Sequence, residues 1–240
     1  SAISNEGIEF EAQYDIIRKK NWNWSVGLNL SHNKNMLRKT YNGEDLNDKV
    51  LGRPVYGIYT FKDEGIVQKE EDIPMYPNAS GKLIPLYFQS VNNPLRVGGR
   101  KIKDQNYDGV IDDKDLYYAG STLPAVYGGL NSHLEWKGLS LDVLFSYTIG
   151  RKVMNMYKNS AFTFTKDFGV IMNYFHANDF WTPDNRGAKY PSLEFADKDY
   201  IGQFDGNVDS NIENISFLRL KQLVIGYQFP KTWLKGTFIK

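Results

Sequence analysis

The sequence predicts an all-β chain, an antiparallel meander that forms a partial transmembrane β-barrel with long extracellular loops. Three observations predict it. Long segments alternate apolar and polar residues with a period of two. These segments run about 9 to 13 residues, against a usual strand of about 5 to 6 and about 9–11 for a strand that crosses a membrane. The connections between them are either very short or very long, the asymmetry of barrels whose strands cross an outer membrane.

The first strand is read over Gly7 to Ile16. Ile8, Phe10, Ala12, Tyr14 and Ile16 share one face, and Glu9, Glu11, Gln13 and Asp15 share the other. After the polar turn Arg18-Lys19-Lys20-Asn21 the pattern restarts, with Trp22, Trp24, Val26, Leu28 and Leu30 alternating with Asn23, Ser25, Gly27, Asn29 and Ser31. Two such runs around a tight turn make an antiparallel hairpin. A second hairpin covers Val126 to Trp136 and Leu139 to Ile149, turning at Lys137-Gly138. A fifth strand runs from about Phe217 to Phe229, and its phase slips. Leu218 and Leu220 lie on one face but Leu223, Ile225, Tyr227 and Phe229 on the other, so a bulge is expected near Lys221-Gln222. Trp22, Trp24, Trp136, Tyr147, Tyr227 and Phe229 fall near strand ends, where an aromatic girdle would sit. Periodicity alone also fits a soluble β-sandwich; strand length and loop asymmetry favour the barrel.

Two long connections remain, residues 32–124 and 151–215, both read as extracellular loops. Within them, Val55 to Val67 is expected to form a strand with a turn at Lys62–Gly65. Phe168, Ile171, Met172 and Phe175 stand at helical spacing and predict a short amphipathic helix over 168–181, ended by Trp181-Thr182-Pro183-Asp184-Asn185.

Composition narrows the function. The 240 residues carry 29 Lys and Arg against 28 Asp and Glu, a balance that argues against nucleic acid as a partner. The lack of Cys excludes disulfides, thiolate metal sites and a cysteine nucleophile. No apolar run approaches the 18 or so residues of a membrane helix. No charged-then-apolar leader opens the chain at Ser1, so no signal peptide is expected within these residues.

One segment carries chemistry. Residues 104–115, DQNYDGVIDDKD, follow the twelve-residue calcium loop. Asp104, Asn106 and Asp108 fill positions one, three and five, and Gly109 makes the sharp turn at six. Val110 offers its carbonyl at seven, Asp112 stands at nine and Asp115 at twelve, with Ile111 packing inward. A hard dication needs six to eight oxygens, and alternate residues of a tight loop supply them. Asp115 departs from the usual bidentate Glu, and no helices bracket the loop. The competing reading is an Asx-rich turn without metal. In either case the role is architectural, with calcium as a structural cofactor. His32, His133 and His176 have no ligand spacing. Glu9, Glu11 and Asp15 read as a polar wall facing a lumen. No nucleophile–base constellation exists, so no enzyme is expected. Tyr and Trp residues of the loops could stack on sugar rings.

The residues also resemble a known family. NEGIEFEAQYDIIRKKNWNWSVGLNLSHNKN (5–35), GRPVYGIYTFKDEGIV (52–67), the stretch from DQNYDGVIDDKD through SYTIGRKVMN (104–155), FWTPDNRGAKYPSL (180–193) and NISFLRLKQLVIGYQFPKTWLK (214–235) are similar, in order, to the C-terminal part of SusC/RagA TonB-dependent outer-membrane transporters from Bacteroidetes. Trp136 stands where the family often has Tyr. Members are far longer, with a 22-stranded barrel and an N-terminal plug, so residues 1–240 read as one portion of a large barrel with no plug domain.

The resemblance implies location in the cell outer membrane and TonB-dependent import of oligosaccharides, peptides or other bulky nutrients. It implies a SusD-like surface lipoprotein as partner, TonB acting through parts absent here, and a lipid bilayer around the strands. Glu9, Glu11, Asn29, Ser31 and Asp142 would face the lumen, and Ile8, Phe10, Leu28, Leu141 and Phe145 the lipid. The rival is a soluble carbohydrate-binding β-sandwich with a structural calcium.

Overall fold

The computed structural model describes residues 1–45, 49–155, 176–196, 207–230 and 232–233. Along the chain the strands are β1 (Ala2–Lys19), β2 (Trp22–Lys39), β3 (Gly57–Thr60), β4 (Asp63–Ile66), β5 (Met75–Pro77), β6 (Leu83–Pro85), β7 (Tyr87–Phe88) and β8 (Arg100–Ile102). They continue with β9 (Val110–Ile111), β10 (Tyr117–Ser121), β11 (Val126–Trp136), β12 (Leu139–Ile149), β13 (Lys152–Met154), β14 (Ile212–Asn214) and β15 (Phe217–Tyr227). Two compact units share them. The first comprises Ser1–Gly57, Ser121–Lys152 and Asn214–Lys240; the second comprises Ile58–Gly120 and Val153–Glu213.

In the first unit the alternating segments form one five-stranded sheet in the order β1-β2-β11-β12-β15. All its pairings are antiparallel, so the expected meander is present. The hairpin between β11 and β12 turns on Lys137 (φ 48°) and Gly138 (φ 90°). Two left-handed residues in succession match the twist of the flanking strands, which is why a glycine follows the lysine there. The bulge expected in β15 is present: Leu144 pairs with Gln222 and Phe145 with Leu220, leaving Lys221 as the extra residue. A second irregularity lets Ile17 follow Asp15 in the pairing of β1, so Ile16 is passed over.

Both strands of the first hairpin are 18 residues long, well beyond the alternating core of each. Ser31-His32-Asn33-Lys34-Asn35 carries no apolar alternation, yet it stays extended because Asn5 to Glu9 supply its backbone partners. The connection read as starting at residue 32 therefore starts beyond Lys39.

The second unit contains the hydrophobic core. Val67, Ile73, Leu86, Phe88, Leu95, Ile102, Ile111 and Val208 form one buried cluster, packed by Phe61, Tyr76 and Val97. Short pairs frame it: β3 with β10, β4 with β8, β5 with β6, and β7 parallel to β9. Residues 207–209 return to Phe61, whose N–H donates to the Asn207 carbonyl at 2.8 Å and whose carbonyl accepts from Asp209 at 3.0 Å. The two long connections thus share one core. The turn expected at Lys62–Gly65 is not a turn. Asp63–Ile66 is a strand paired with Arg100–Ile102, irregular where Gly65 takes a φ of 103°. The helix expected over 168–181 falls mostly outside the described residues, Phe168, Ile171, Met172 and Phe175 among them; beyond it, Asn185 closes a turn onto Thr182 at 2.9 Å.

Candidate functional site

Cross-strand register sorts the side chains of the five-stranded sheet. On one face Ala12, Leu28, Leu130, Phe145 and Leu220 make a row across all five strands. Beside it run Tyr14, Val26, Ser132, Val143 and Leu223, then Trp24, Leu134, Leu141 and Ile225. At the short-turn end Trp22, Trp136, Leu139 and Tyr227 close the face with an aromatic row. On the opposite face Glu11, Asn29, Gly129, Ser146 and Arg219 line up, as do Asp15, Ser25, His133, Asp142 and Val224. The residues assigned to lipid share the first face and those assigned to the lumen share the second.

The apolar face is bare. Ile8 is 68% exposed, Phe10 54%, Leu223 55% and Ile225 69%. A soluble sandwich would bury such a face under a second sheet, so the rival reading lacks its defining contact among the described residues. Two glycines let the wall close. A Cβ on Gly128 would land on the Asn29 carbonyl oxygen and 2.7 Å from the Tyr147 hydroxyl. The glycine leaves room for that ring to cross and donate to the Asn29 carbonyl at 2.9 Å. On the polar face Asn131 occupies the space a Cβ on Gly27 would need.

The acidic loop lies in the second unit. Asp104 is buried, accepting from the Tyr107 amide at 2.7 Å and the Gly109 amide at 2.9 Å. These two bonds coil positions one to six, with Tyr107 at φ 61° and Gly109 at φ 85°. Gly109 is required twice over, since a Cβ there would also sit 2.9 Å from Cβ of Tyr76. Asp115, fully buried, accepts from Gln105 at 2.7 Å and Asp112 at 2.9 Å. Burial pushes its pKa up, and those amide bonds offset only part of the rise. Asn106 accepts from Asp108, Asp108 from Val110, and Asp112 from Lys114, at 3.0, 3.0 and 2.8 Å. Each of the last three bonds spans two residues, the signature of an Asx turn. Val110 opens β9, and Ile111 joins the core as expected. The structure thus brings Asp104 and Asp115 into the loop's interior and leaves Asn106, Asp108 and Asp112 at its surface. Among the described residues, no group of three or more His, Asp or Glu side chains is arranged to hold a metal ion.

Sequence reasoning missed a second acidic centre in this unit. Arg100 and Asp63, both buried, form an ion pair, and the Ser210 hydroxyl donates to the same carboxylate at 2.6 Å. Next to it Asp209 accepts from Lys62 and from the Tyr117 hydroxyl, each at 2.7 Å, and from the Asp63 amide at 2.9 Å. Burial raises the Asp209 pKa, but the Lys62 and Tyr117 bonds overcome it and hold the carboxyl below its usual range. Burial, with the bond to Asp209, pushes Tyr117 up to about 12. Partners 147 positions apart in sequence leave no local spacing to read.

No family model matches the chain. Three curated proteins do. TonB-dependent receptor P26 of Formosa agariphila is 29% identical over 241 residues, 95% of this chain. TonB-dependent receptor P3 of the same organism is 22% identical over 98% of it. TonB-dependent receptor SusC of Bacteroides thetaiotaomicron is 24% identical over 99% of it. The resemblance to the SusC/RagA transporters is borne out. The chain spans 22% of the length of each of these relatives. Two solved structures carry the same fold: the RagAB peptide transporter, at TM-score 0.63 and 23% identity over 96% of this chain, and the RagAB peptide importer in a closed-closed state, at 0.65 and 22% over 99%. The chain covers 23% and 24% of those two chains. The five-stranded wall is accordingly part of a larger barrel, and its location is the outer membrane.

Proposed function

We propose that this chain is part of a TonB-dependent active transporter that imports bulky nutrients, oligosaccharides or peptides, together with a SusD-like surface lipoprotein. The observation that carries the reading is the bare apolar face of the five-stranded sheet. A wall of exposed Leu, Ile, Phe and Trp with Glu, Asn and Asp on its other side is stable only between hydrocarbon and a wet lumen. The two long connections, residues 32–124 and 151–215, meet ligand and lipoprotein. The names of the relatives support a receptor or transporter rather than an enzyme. The test is nutrient uptake by cells carrying the whole receptor. Uptake should stop when TonB is removed and when the lipoprotein is removed. Undiminished uptake without TonB would overturn the reading.

The acidic loop supports a second element of the proposal, a structural calcium. Its donors are oxygens of the kind calcium takes, and the two left-handed residues already give the loop the sharp coil of a calcium loop. A fully buried Asp115 whose charge burial disfavours is the group a cation would relieve. Asp104, Asn106, Asp108, the Val110 carbonyl, Asp112 and Asp115 would hold the ion, which would stiffen the loop. Limited proteolysis of the whole receptor tests this. Residues 100–120 should become protease-sensitive in chelator and recover with calcium; identical digests in both would remove the metal.

A further inference from the structure

At the short-turn end of the five-stranded sheet, cations join the aromatic row. On the apolar face Lys19 lies opposite Trp22, Trp22 opposite Trp136, Trp136 opposite Leu139 and Leu139 opposite Tyr227. The two hairpins are tied together here, the Lys137 amide donating to the Asn21 carbonyl at 3.0 Å. Lys20 of the first turn and Lys137 of the second border the same cleft. The Lys137 ammonium lies over the Trp136 ring, 5.3 Å from its centroid. Trp22, Trp136 and Tyr227 are exposed, and Phe229 packs edge-on to Tyr227 with centroids 5.1 Å apart. The charge at this rim is one-sided. Among the described residues no carboxylate forms an ion pair with Lys19, Lys20 or Lys137. Asp15 and Glu135 stand on the opposite face, where Arg18 reaches Asp15 at 3.6 Å and Asn23 donates to Glu135 at 3.3 Å. At the far end of the same hairpin the cation Arg38 does have an acid, Glu6, at 3.2 Å.

We propose that Lys19, Lys20 and Lys137, with Trp22 and Trp136, hold the phosphate of an anionic phospholipid in the periplasmic leaflet. The proposal goes beyond import: it gives the wall a lipid-selective contact, and it rests only on the apolar face meeting hydrocarbon. Turns this short belong to the periplasmic side of an outer-membrane barrel. Indole and phenol rings settle at headgroup depth. Lysine stems lie along apolar surface while their ammonium groups stay in water, at that same depth. Ammonium groups donate hydrogen bonds and accept none, so three of them without an acid partner call for an anion. The next row of the face, Trp24, Leu134 and Leu141, continues inward as the bed for the acyl chains. A zwitterionic headgroup brings its own cation to the lysines, whereas an anionic one does not. Headgroup selection is therefore the sign that separates this site from a plain apolar girdle.

The experiment places the whole receptor in nanodiscs of phosphatidylglycerol and phosphatidylcholine in equal parts. One or the other lipid carries a photoactivatable diazirine, and adducts are mapped by peptide mass spectrometry. Peptides covering residues 19–24 and 134–139 should be labelled by phosphatidylglycerol in clear excess over phosphatidylcholine. Each lysine near the headgroups is worth about fivefold in affinity, so Lys19→Gln with Lys137→Gln should lower the excess about fivefold or more. Lys19→Arg with Lys137→Arg should retain it, and Lys34→Gln, at the far end of the hairpin, should leave it unchanged. In the unsubstituted receptor the excess should shrink as sodium chloride is raised, a reading that needs no variant to fold. Equal labelling by the two lipids, an excess that survives the double Gln substitution, or an excess indifferent to salt would overturn the proposal. Labelling of these peptides by neither lipid would overturn it through the facing of the wall instead, so the two failures give different results.

Discussion

Phe145→Arg tests the orientation of the wall most directly. Phe145 is the seventh residue of the 11-residue β12 and sits between Leu130 and Leu220 in a row that is apolar on all five strands. Removing the ring forfeits about 1.5–3 kcal/mol of apolar transfer. An Arg on the lipid face near mid-depth costs about 2–4 kcal/mol more. The sum, about 4–7 kcal/mol, is comparable to the whole stability of many domains. Ser146→Arg is the control one position along. Ser146 lies on the polar face between Gly129, which has no side chain to displace, and Arg219. The Ser146 hydroxyl is shielded from solvent, so the longer side chain must turn past its neighbours to reach water; that crowding adds to the like-charge neighbour, about 1 kcal/mol or less, but brings no charge into hydrocarbon. In cells expressing the whole receptor, Phe145→Arg should leave almost no heat-modifiable, surface-exposed protein, and Ser146→Arg should assemble at near wild-type levels. Equal assembly of the two variants, or the reverse order, would refute the assignment of faces.

The same geometry sets other expectations. Gly128→Ala should block closure of β2 on β11 and lower the urea midpoint of the detergent-solubilised receptor, whereas Gly129→Ala, whose nearest new contact is 3.3 Å away, should shift it little. Arg100→Met should cost about 3–5 kcal/mol by stranding buried Asp63, read as faster proteolysis of residues 58–120 and 207–213, and Arg100→Met with Asp63→Leu should recover much of it. Tyr117 has a folded pKa above its unfolded value, so its contribution to stability is complete below about pH 10 and is lost as pH rises towards about 12. Absorbance at 295 nm should show a late-ionising tyrosine that Tyr117→Phe removes; an unchanged titration would refute the Asp209 contact.

The wall was legible in sequence because its chemistry is periodic. Trp22 to Leu30 and Leu139 to Ile149 place every second side chain against one solvent, and the slipped phase at Lys221 announced its bulge. The 31–39 half of β2 was not legible, because pairing with β1 rather than side-chain pattern keeps it extended. The acidic loop could be located by its spacing, yet spacing does not say which carboxylates turn inward. Asp104 and Asp115 do so because backbone amides face them. The core of the second unit stayed hidden, since Val67, Leu86, Ile111 and Val208 come from short strands and turns too brief for any period to show. The Asp63–Arg100–Ser210 cluster was hidden for a related reason, its members being joined only when distant stretches meet.

That core has a consequence for how such a receptor could diversify. Segments joining barrel strands are ordinarily free to vary because they shelter nothing. Here the intervening stretches enclose eight water-excluded side chains and a desolvated ion pair, so piecemeal drift within them is penalised at many positions at once. New selectivity would come more readily through exchange of the entire insert, or through changes confined to exposed positions such as Met75, Leu83 and Val91, which lie outside that cluster.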